Sequence, residues 1–157
     1  MQRRQFLQQT AAASALVGLG GLSLTSFTPT TTKKITILHT NDVHSHIDAF
    51  GHDDGRNPNQ GGVARRATLV EALRKENPNT LLLDAGDIFQ GTPYFNYYGG
   101  ELEFKLMSML KYDLATIGNH DFDNGIDGLY AQIPHAKFDF VSANYDFSNT
   151  VMDTHVK

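Results

Sequence analysis

The sequence predicts an α/β fold in which a mostly parallel β-sheet packs against helices. Short apolar, β-rich runs alternate with segments whose apolar residues recur at helical spacing, which is the pattern of repeated βα units. The chain has 157 residues, 40% of them hydrophobic, which allows one ordinary domain with a sizeable core. Cysteine is absent, so disulfides, thiolate metal ligands and cysteine nucleophiles are excluded.

The predicted elements alternate along the chain. Strands are predicted at residues 35–39, 80–83, 114–117 and 138–143, and the first is apolar on both sides, as in a parallel strand that is covered on both faces. Helices are predicted from Gly62 to the stop at Asn77-Pro78 and from Ile126 to the stop at Pro134. A further helix after Gly99-Gly100 has a predicted inner face of Leu102, Leu106, Met109 and Leu110.

Residues 1–32 are predicted to be an export signal followed by a linker, so that the folded domain covers residues 33–157. A short basic start precedes the uncharged apolar stretch from Ala11 to Leu24, which is a signal-peptide layout. At about 1.5 Å per residue this stretch spans roughly 21 Å, too short for a bilayer core of roughly 30 Å. The segment from Arg3 to Leu7 resembles the twin-arginine export signature, with a general secretory signal as the alternative. We therefore expect a periplasmic or other extracytoplasmic protein that uses the twin-arginine export machinery.

The charge balance argues against nucleic acid as a partner. The formal net charge is -4, and without Arg3 and Arg4 the remainder has 11 basic and 17 acidic residues, or -6. Binding to a polyanion by bulk electrostatics is therefore not expected.

Polar clusters follow three of the predicted strands. Asp42 and His44 follow the first strand, Asp87 follows the second, and Asn119 to Asp123 follow the third. Because the carboxyl ends of parallel strands lie along one edge of a sheet, we expect these side chains to converge on one site. They offer carboxylate, imidazole and amide groups without sulfur, which suits Mn, Zn, Fe or Mg.

Each cluster by itself also has a structural interpretation. Asp42-Val43-His44 could close a turn, Gly86-Asp87 is an ordinary turn dipeptide, and Asn119 could cap a helix. Their joint occurrence at three strand ends favours a functional site.

The order of the motifs resembles a known family. Asp42-Val43-His44, Gly86-Asp87 and Gly118-Asn119-His120-Asp121 follow the signature order of the calcineurin-like metallophosphoesterases. The longer sequence segments around these motifs, at residues 37–42, 61–65, 86–93 and 116–123, are similar to those of exported 5'-nucleotidases and their 2',3'-cyclic phosphodiesterase relatives. The resemblance covers residues 34–144 and implies the N-terminal half of a four-layer α/β/β/α sandwich.

The resemblance also implies roles for six residues. Asp42 and His44 would bind a first divalent metal ion, Asp87 would bridge to a second, and Asn119 would bind the second. His120 would not be a ligand but would lie beside the phosphate, and it would be oriented by Asp123, which fixes its tautomer. Two such ions would activate a water molecule for attack on phosphorus.

The remaining candidates are expected to have structural roles. Asp121 is expected to support the turn, and His39 to be a hydrogen-bonded core histidine. His46 could lie either at the surface or near the substrate, and three further histidines are expected to face solvent: His52, His135 and His155. The aromatic-rich segment from Phe89 to Tyr98 is interpreted as a loop that packs or contacts another domain, with stacking on a nucleobase as the alternative.

The sequence departs from the family in one respect. The family takes further metal ligands from later G-H and G-H-x-H motifs, and neither occurs between Gly118-Asn119-His120-Asp121 and Lys157. We therefore expect residues 1–157 to be an N-terminal fragment that alone binds metal weakly and catalyses poorly. The missing second half and nucleoside-binding domain would also leave apolar surface exposed.

The predicted function is metal-dependent hydrolysis of a nucleotide or another small phosphoester. An exported dimanganese thiosulfohydrolase of sulfur oxidation is the alternative with the same motif order. A noncatalytic binding module of the same fold is the alternative from another class.

Overall fold

The computed structural model describes residues 32–157, so the predicted export signal lies outside the described residues apart from Thr32. Four parallel strands form one sheet in the order β1-β2-β3-β4: β1 (Thr36–Thr40), β2 (Thr80–Asp84), β3 (Leu114–Ala115) and β4 (Asp139–Phe140). The α/β prediction is confirmed. Within residues 32–157, no helix has the length and apolar character needed to cross a membrane.

Within the described residues, four α-helices connect and follow these strands: α1 (Val63–Glu76), α2 (Pro93–Tyr98), α3 (Glu101–Met109) and α4 (Gly125–Gln132), with 3-10 turns at His120–Phe122 and Ile133–His135. Helix α1 ends as predicted, where the Asn77 N–H donates to the Leu73 carbonyl ahead of Pro78. The segment from Phe89 to Tyr98 was predicted to be a loop, but it contains helix α2. Pro93 begins this helix and Gly99 ends it in a left-handed conformation, which are favoured residues for those positions.

The two faces of the sheet differ in burial. Successive parallel neighbours joined by right-handed crossovers place their helices on one face. Leu82 and Ala115 on that face are each 1% exposed, whereas Ile37 and Leu81 on the other are 61% and 41% exposed. Within the described residues β1 is covered on one face only, and the apolar side chains on its other face are exposed, as expected for a sheet without its second layer. His39 is also exposed and is not a core histidine, because side chains alternate along the strand.

The core is centred on Phe104 of α3, which is fully buried. Its ring centroid lies 4.8 Å from that of Phe89 and 5.3 Å from that of Phe140. The buried residues of α3 are Glu103, Phe104 and Met107, while Met109 is 75% exposed. Of the predicted inner face, Leu110 is buried and Leu102 and Leu106 are half-buried. The prediction was wrong at Met109 and missed the buried residues of α3. Glu103 is therefore a carboxylate residue at a buried position on this helix.

Candidate metal centre

Three loops meet at the carboxyl edge of the sheet, after β1, β2 and β3. The Asp42 N–H donates to the Gly86 carbonyl at 3.0 Å, and the His44 N–H donates to the Asp87 carbonyl at 3.1 Å. Backbone hydrogen bonds therefore tie the first loop to the second directly beside the predicted site residues.

Two glycines let these loops come close. Gly86 has φ +96°, and a Cβ there would lie 2.6 Å from the Gly118 nitrogen. A Cβ on Gly118 would lie 2.1 Å from Oδ1 of Asp87. Any side chain at either position would push the loops apart, because these distances are far below van der Waals contact. The glycines of Gly86-Asp87 and of Gly118-Asn119-His120 thus have a steric explanation.

Asp42, His44 and Asp87 form a group that could hold a metal ion. Each offers one ligand atom, and these atoms lie within 4.8 Å of one another. Nε2 of His44 is 3.8 Å from Oδ1 of Asp42 and 4.0 Å from Oδ2 of Asp87. Its Nδ1 lies 3.3 Å from the Phe89 carbonyl, and an N–H donated there leaves Nε2 free to bind a cation. This donor set fits a divalent ion.

The backbone around this group is strained. Asp42, His44, Ser45 and Asp87 have φ values of 50°, 45°, 54° and 54°, in the left-handed region that non-glycine residues rarely adopt. Each such residue costs on the order of 1–3 kcal/mol and persists only where its surroundings enforce it. The neighbouring contacts therefore have to hold this geometry in place.

Asn119 lies at the same cleft. An open space of about 330 Å³ is lined by Asn119 together with Asp42 and Asp87. Asn119 occupies the N-cap position of the 3-10 turn, but its side chain makes no capping hydrogen bond. The capping interpretation is therefore wrong, and the amide can serve a ligand.

His120 lies beside the candidate group of Asp42, His44 and Asp87. Its ring centroid is 5.2 Å from that of His44, and the backbone N–H of His120 donates to Oδ1 of Asp87 at 2.9 Å. Nδ1 lies 3.1 Å from Oδ2 of Asp123, and this hydrogen bond raises the pKa of His120 above its ordinary value. Because Nδ1 is engaged, Nε2 is the ring nitrogen that can reach a substrate.

Asp121 supports the turn, as expected. It is 2% exposed, and its carboxylate accepts backbone N–H groups from Asp87 at 3.1 Å, Ile88 at 2.8 Å, Phe89 at 2.9 Å and Gly118 at 2.8 Å. Burial raises its pKa. One carboxylate therefore joins the second loop to the third.

Asp84 acts in the same way at the end of β2. It is 5% exposed; Oδ2 accepts the Thr40 hydroxyl, and Oδ1 accepts the Gly86 N–H at 2.9 Å. Burial raises its pKa to about 6. Asp84 does not line the cleft with Asp42 and Asp87. It supports the loops from the end of β2 through its hydrogen bonds to Thr40 and Gly86.

The remaining histidines lie elsewhere. The His46 ring packs on that of Phe50, with 4.5 Å between centroids. His52 and His155 are exposed, as predicted. His135 is half-buried, with Nε2 4.0 Å from Glu101, so its prediction as a solvent-facing residue was wrong.

The sequence reasoning missed two residues that line the cleft, Asn144 and Tyr145. They follow β4 and lie at the same sheet edge as the three predicted clusters. The rule that located those clusters, polar residues directly after a parallel strand, applies equally to Ser142-Ala143-Asn144.

The fold and this edge of the sheet define the class of protein. The family model of the calcineurin-like phosphoesterases matches residues 35–155, and the chain belongs to this family.

Among individual proteins, the chain is similar to 5'-nucleotidases. The chain is 48% identical over 115 residues to a snake venom 5'-nucleotidase of Crotalus adamanteus and 47% identical over 116 residues to a 5'-nucleotidase of Homo sapiens. Each match covers 71% of this chain and 20% of the relative, so the chain spans about a fifth of the length of these proteins.

Solved structures show the same likeness. A 5'-nucleotidase precursor from Thermus thermophilus matches with a TM-score of 0.70 and 40% identity, over 78% of this chain and 24% of that one. An NAD nucleotidase from Haemophilus influenzae matches with a TM-score of 0.70 and 31% identity, over 78% and 26% of the two chains.

Proposed function

We propose that the protein is a metal-dependent phosphoester hydrolase that acts on nucleotides. The observation that carries this proposal is the grouping of Asp42, His44 and Asp87 beside a cleft that Asn119 lines together with the two carboxylates. Similarity to 5'-nucleotidases at 47–48% identity supports nucleotides as the substrate class.

The site residues would divide the metal binding between them. Asp42 and His44 would hold one divalent ion, Asp87 would bridge to a second, and Asn119 would bind the second ion. Divalent ions held in this way lower the pKa of bound water and stabilise the charge that develops on the phosphoryl oxygens. Oxygen and nitrogen donors without sulfur are compatible with Mn, Zn, Fe or Mg.

His120 would act on the substrate directly. Asp123 holds Nδ1 at 3.1 Å and so orients Nε2 to donate a hydrogen bond to the phosphate or a proton to the leaving oxygen. The raised pKa of His120 increases the protonated fraction near neutral pH, which a general acid requires.

The test is phosphate release by the full-length protein. Hydrolysis of AMP, 2',3'-cyclic AMP and a thiosulfate conjugate would be measured with Mn²⁺, Zn²⁺, Fe²⁺ or Mg²⁺ added in turn. We expect phosphate release from AMP. Sulfate release from the thiosulfate conjugate alone would favour the thiosulfohydrolase, and no reaction despite metal binding would favour a binding module.

Two variants separate binding from chemistry. Asp87→Asn should lose both metal affinity and activity. His120→Gln should lower kcat by about 10²–10⁴-fold and leave Mn²⁺ affinity close to that of the wild type. Asp153→Asn, on an exposed carboxylate away from the cleft, is the matched control and should change neither.

We also propose export by the twin-arginine route, on the basis of Arg3-Arg4 ahead of Phe6-Leu7. Replacing Arg3 and Arg4 together by Lys keeps the charge and should leave the protein in the cytoplasm. Unchanged appearance of the double variant outside the cytoplasm would contradict this route and favour a general secretory signal.

A further inference from the structure

A buried carboxylate lies behind the metal loops. Glu103 on α3 is only 5% exposed. One carboxylate oxygen accepts the hydroxyl of Ser45, and the other, Oε2, is buried without a hydrogen-bond partner among the described residues. A buried, half-satisfied carboxylate is costly. Its presence at this position calls for a structural explanation.

Ser45 is the residue that follows the candidate ligand His44. Ser45 is 2% exposed, and its φ of 54° lies in the left-handed region. Its N–H donates to the Ile88 carbonyl at 2.9 Å, and its carbonyl accepts the Thr92 hydroxyl at 2.9 Å. With the side chain bound to Glu103, each polar group of Ser45 is engaged.

We propose that Glu103 is a positioning residue for His44, acting through the hydroxyl of Ser45. The inference rests on the proposed metal site. His44 and Ser45 both have positive φ, so the loop that presents the imidazole is locally unfavourable and depends on external contacts. The contact from Glu103 joins this loop to α3, which is anchored in the core by the fully buried Phe104.

A purely structural role for Glu103 makes a different prediction. A carboxylate in the first turn of a helix is stabilised by the helix dipole whether or not a metal binds. Glu101 lies in the same turn of α3 but pairs with Lys105 at the surface. Glu101→Gln is therefore a matched control that removes a charge from this turn without touching Ser45.

The experiment measures Mn²⁺ affinity by EPR titration, and stability in urea, for variants of the full-length protein. Glu103→Ala and Ser45→Ala should each weaken Mn²⁺ binding by about 10–100-fold, the effect of removing an outer-shell partner of a metal ligand. The double variant should bind Mn²⁺ no more weakly than the more affected single variant, because the two substitutions remove the same hydrogen bond. Glu103→Gln keeps an acceptor for the Ser45 hydroxyl and should restore affinity to within about threefold, and Glu101→Gln should bind like the wild type.

Unchanged Mn²⁺ affinity in Glu103→Ala and Ser45→Ala, with only a loss of urea stability, would overturn the positioning role. If Glu103→Ala does not fold, the Mn²⁺ affinities of Ser45→Ala and Glu103→Gln decide whether Glu103 positions His44. Asp87→Asn separates the two proposals. Wild-type Mn²⁺ affinity in that variant would reject the metal site itself, whereas its loss beside unaffected Ser45 and Glu103 variants would reject only the inference about Glu103.

Discussion

The core behind the sheet and the loops at its carboxyl edge are held together by different interactions. In the core, apolar side chains such as Phe104 and Leu82 are at most 1% exposed and gain stability from burial. At the edge, the non-glycine residues Asp42, His44, Ser45 and Asp87 have positive φ, and buried carboxylates accept backbone N–H groups. The edge is therefore locally unfavourable and depends on the core for its shape. A substitution in the core should therefore act mainly on stability, whereas a substitution at the edge should change metal binding as well.

The largest expected effect is on the core. Phe104 is fully buried and packs on the rings of Phe89, Phe138 and Phe140. Phe104→Ala should lower the free energy of unfolding by about 3–5 kcal/mol, because it leaves a cavity among these rings. Urea denaturation followed by circular dichroism measures this. A loss below about 1 kcal/mol would show that the core is not centred on Phe104.

A substitution at the edge should affect both properties. Asp121→Ala would leave buried backbone N–H groups without their acceptor, and we expect a loss of about 2–4 kcal/mol. Because those groups belong to the loops that carry Asp87 and Asn119, Mn²⁺ affinity should fall as well. Wild-type Mn²⁺ affinity in a destabilised Asp121→Ala protein would separate Asp121 from the site.

The pH dependence of stability tests the support from Asp84. Its pKa is raised from 3.8 to about 6 by burial, so the folded state binds its proton more tightly than the unfolded state. Stability relative to Asp84→Asn should therefore increase as pH falls from about 7 to about 4, by about 1–3 kcal/mol. Urea unfolding of both metal-free proteins at several pH values measures the difference. A difference independent of pH would contradict the raised pKa.

The smallest effect is expected on the outer side of α3. Met109 is 75% exposed and Met107 is 4% exposed, on the same helix. Met109→Ala should change the free energy of unfolding by less than about 0.5 kcal/mol, and Met107→Ala should lower it by about 2–4 kcal/mol. Equal effects of the two substitutions would mean that the face assigned to α3 is wrong.

The sequence predicted the strands and the convergence of polar residues because both depend on local patterns. Apolar runs mark β1 to β4, and parallel strands necessarily bring Asp42, Asp87 and Asn119 to one edge. The ends of β3 and β4 were predicted too far along the chain, because propensity does not determine where ladder pairing stops.

The errors have a common physical cause, which is tertiary context. The buried face of α3 was only partly predicted because a charged residue, Glu103, occupies an inner position, and its partner Ser45 lies 58 residues away in sequence. Helix α2 was interpreted as a loop because Phe89 to Tyr98 is rich in aromatic residues, which are weak helix formers. His39 was misplaced because sequence alone does not show which face of β1 the described residues cover.

The most direct test of the metal site is the anomalous diffraction of crystals of the full-length protein soaked in Mn²⁺. The account predicts an anomalous peak among the carboxylates of Asp42 and Asp87 and Nε2 of His44, which lie within 4.8 Å of one another. A map at saturating Mn²⁺ with no peak there, or with its peaks only elsewhere on the surface, would contradict the proposed site.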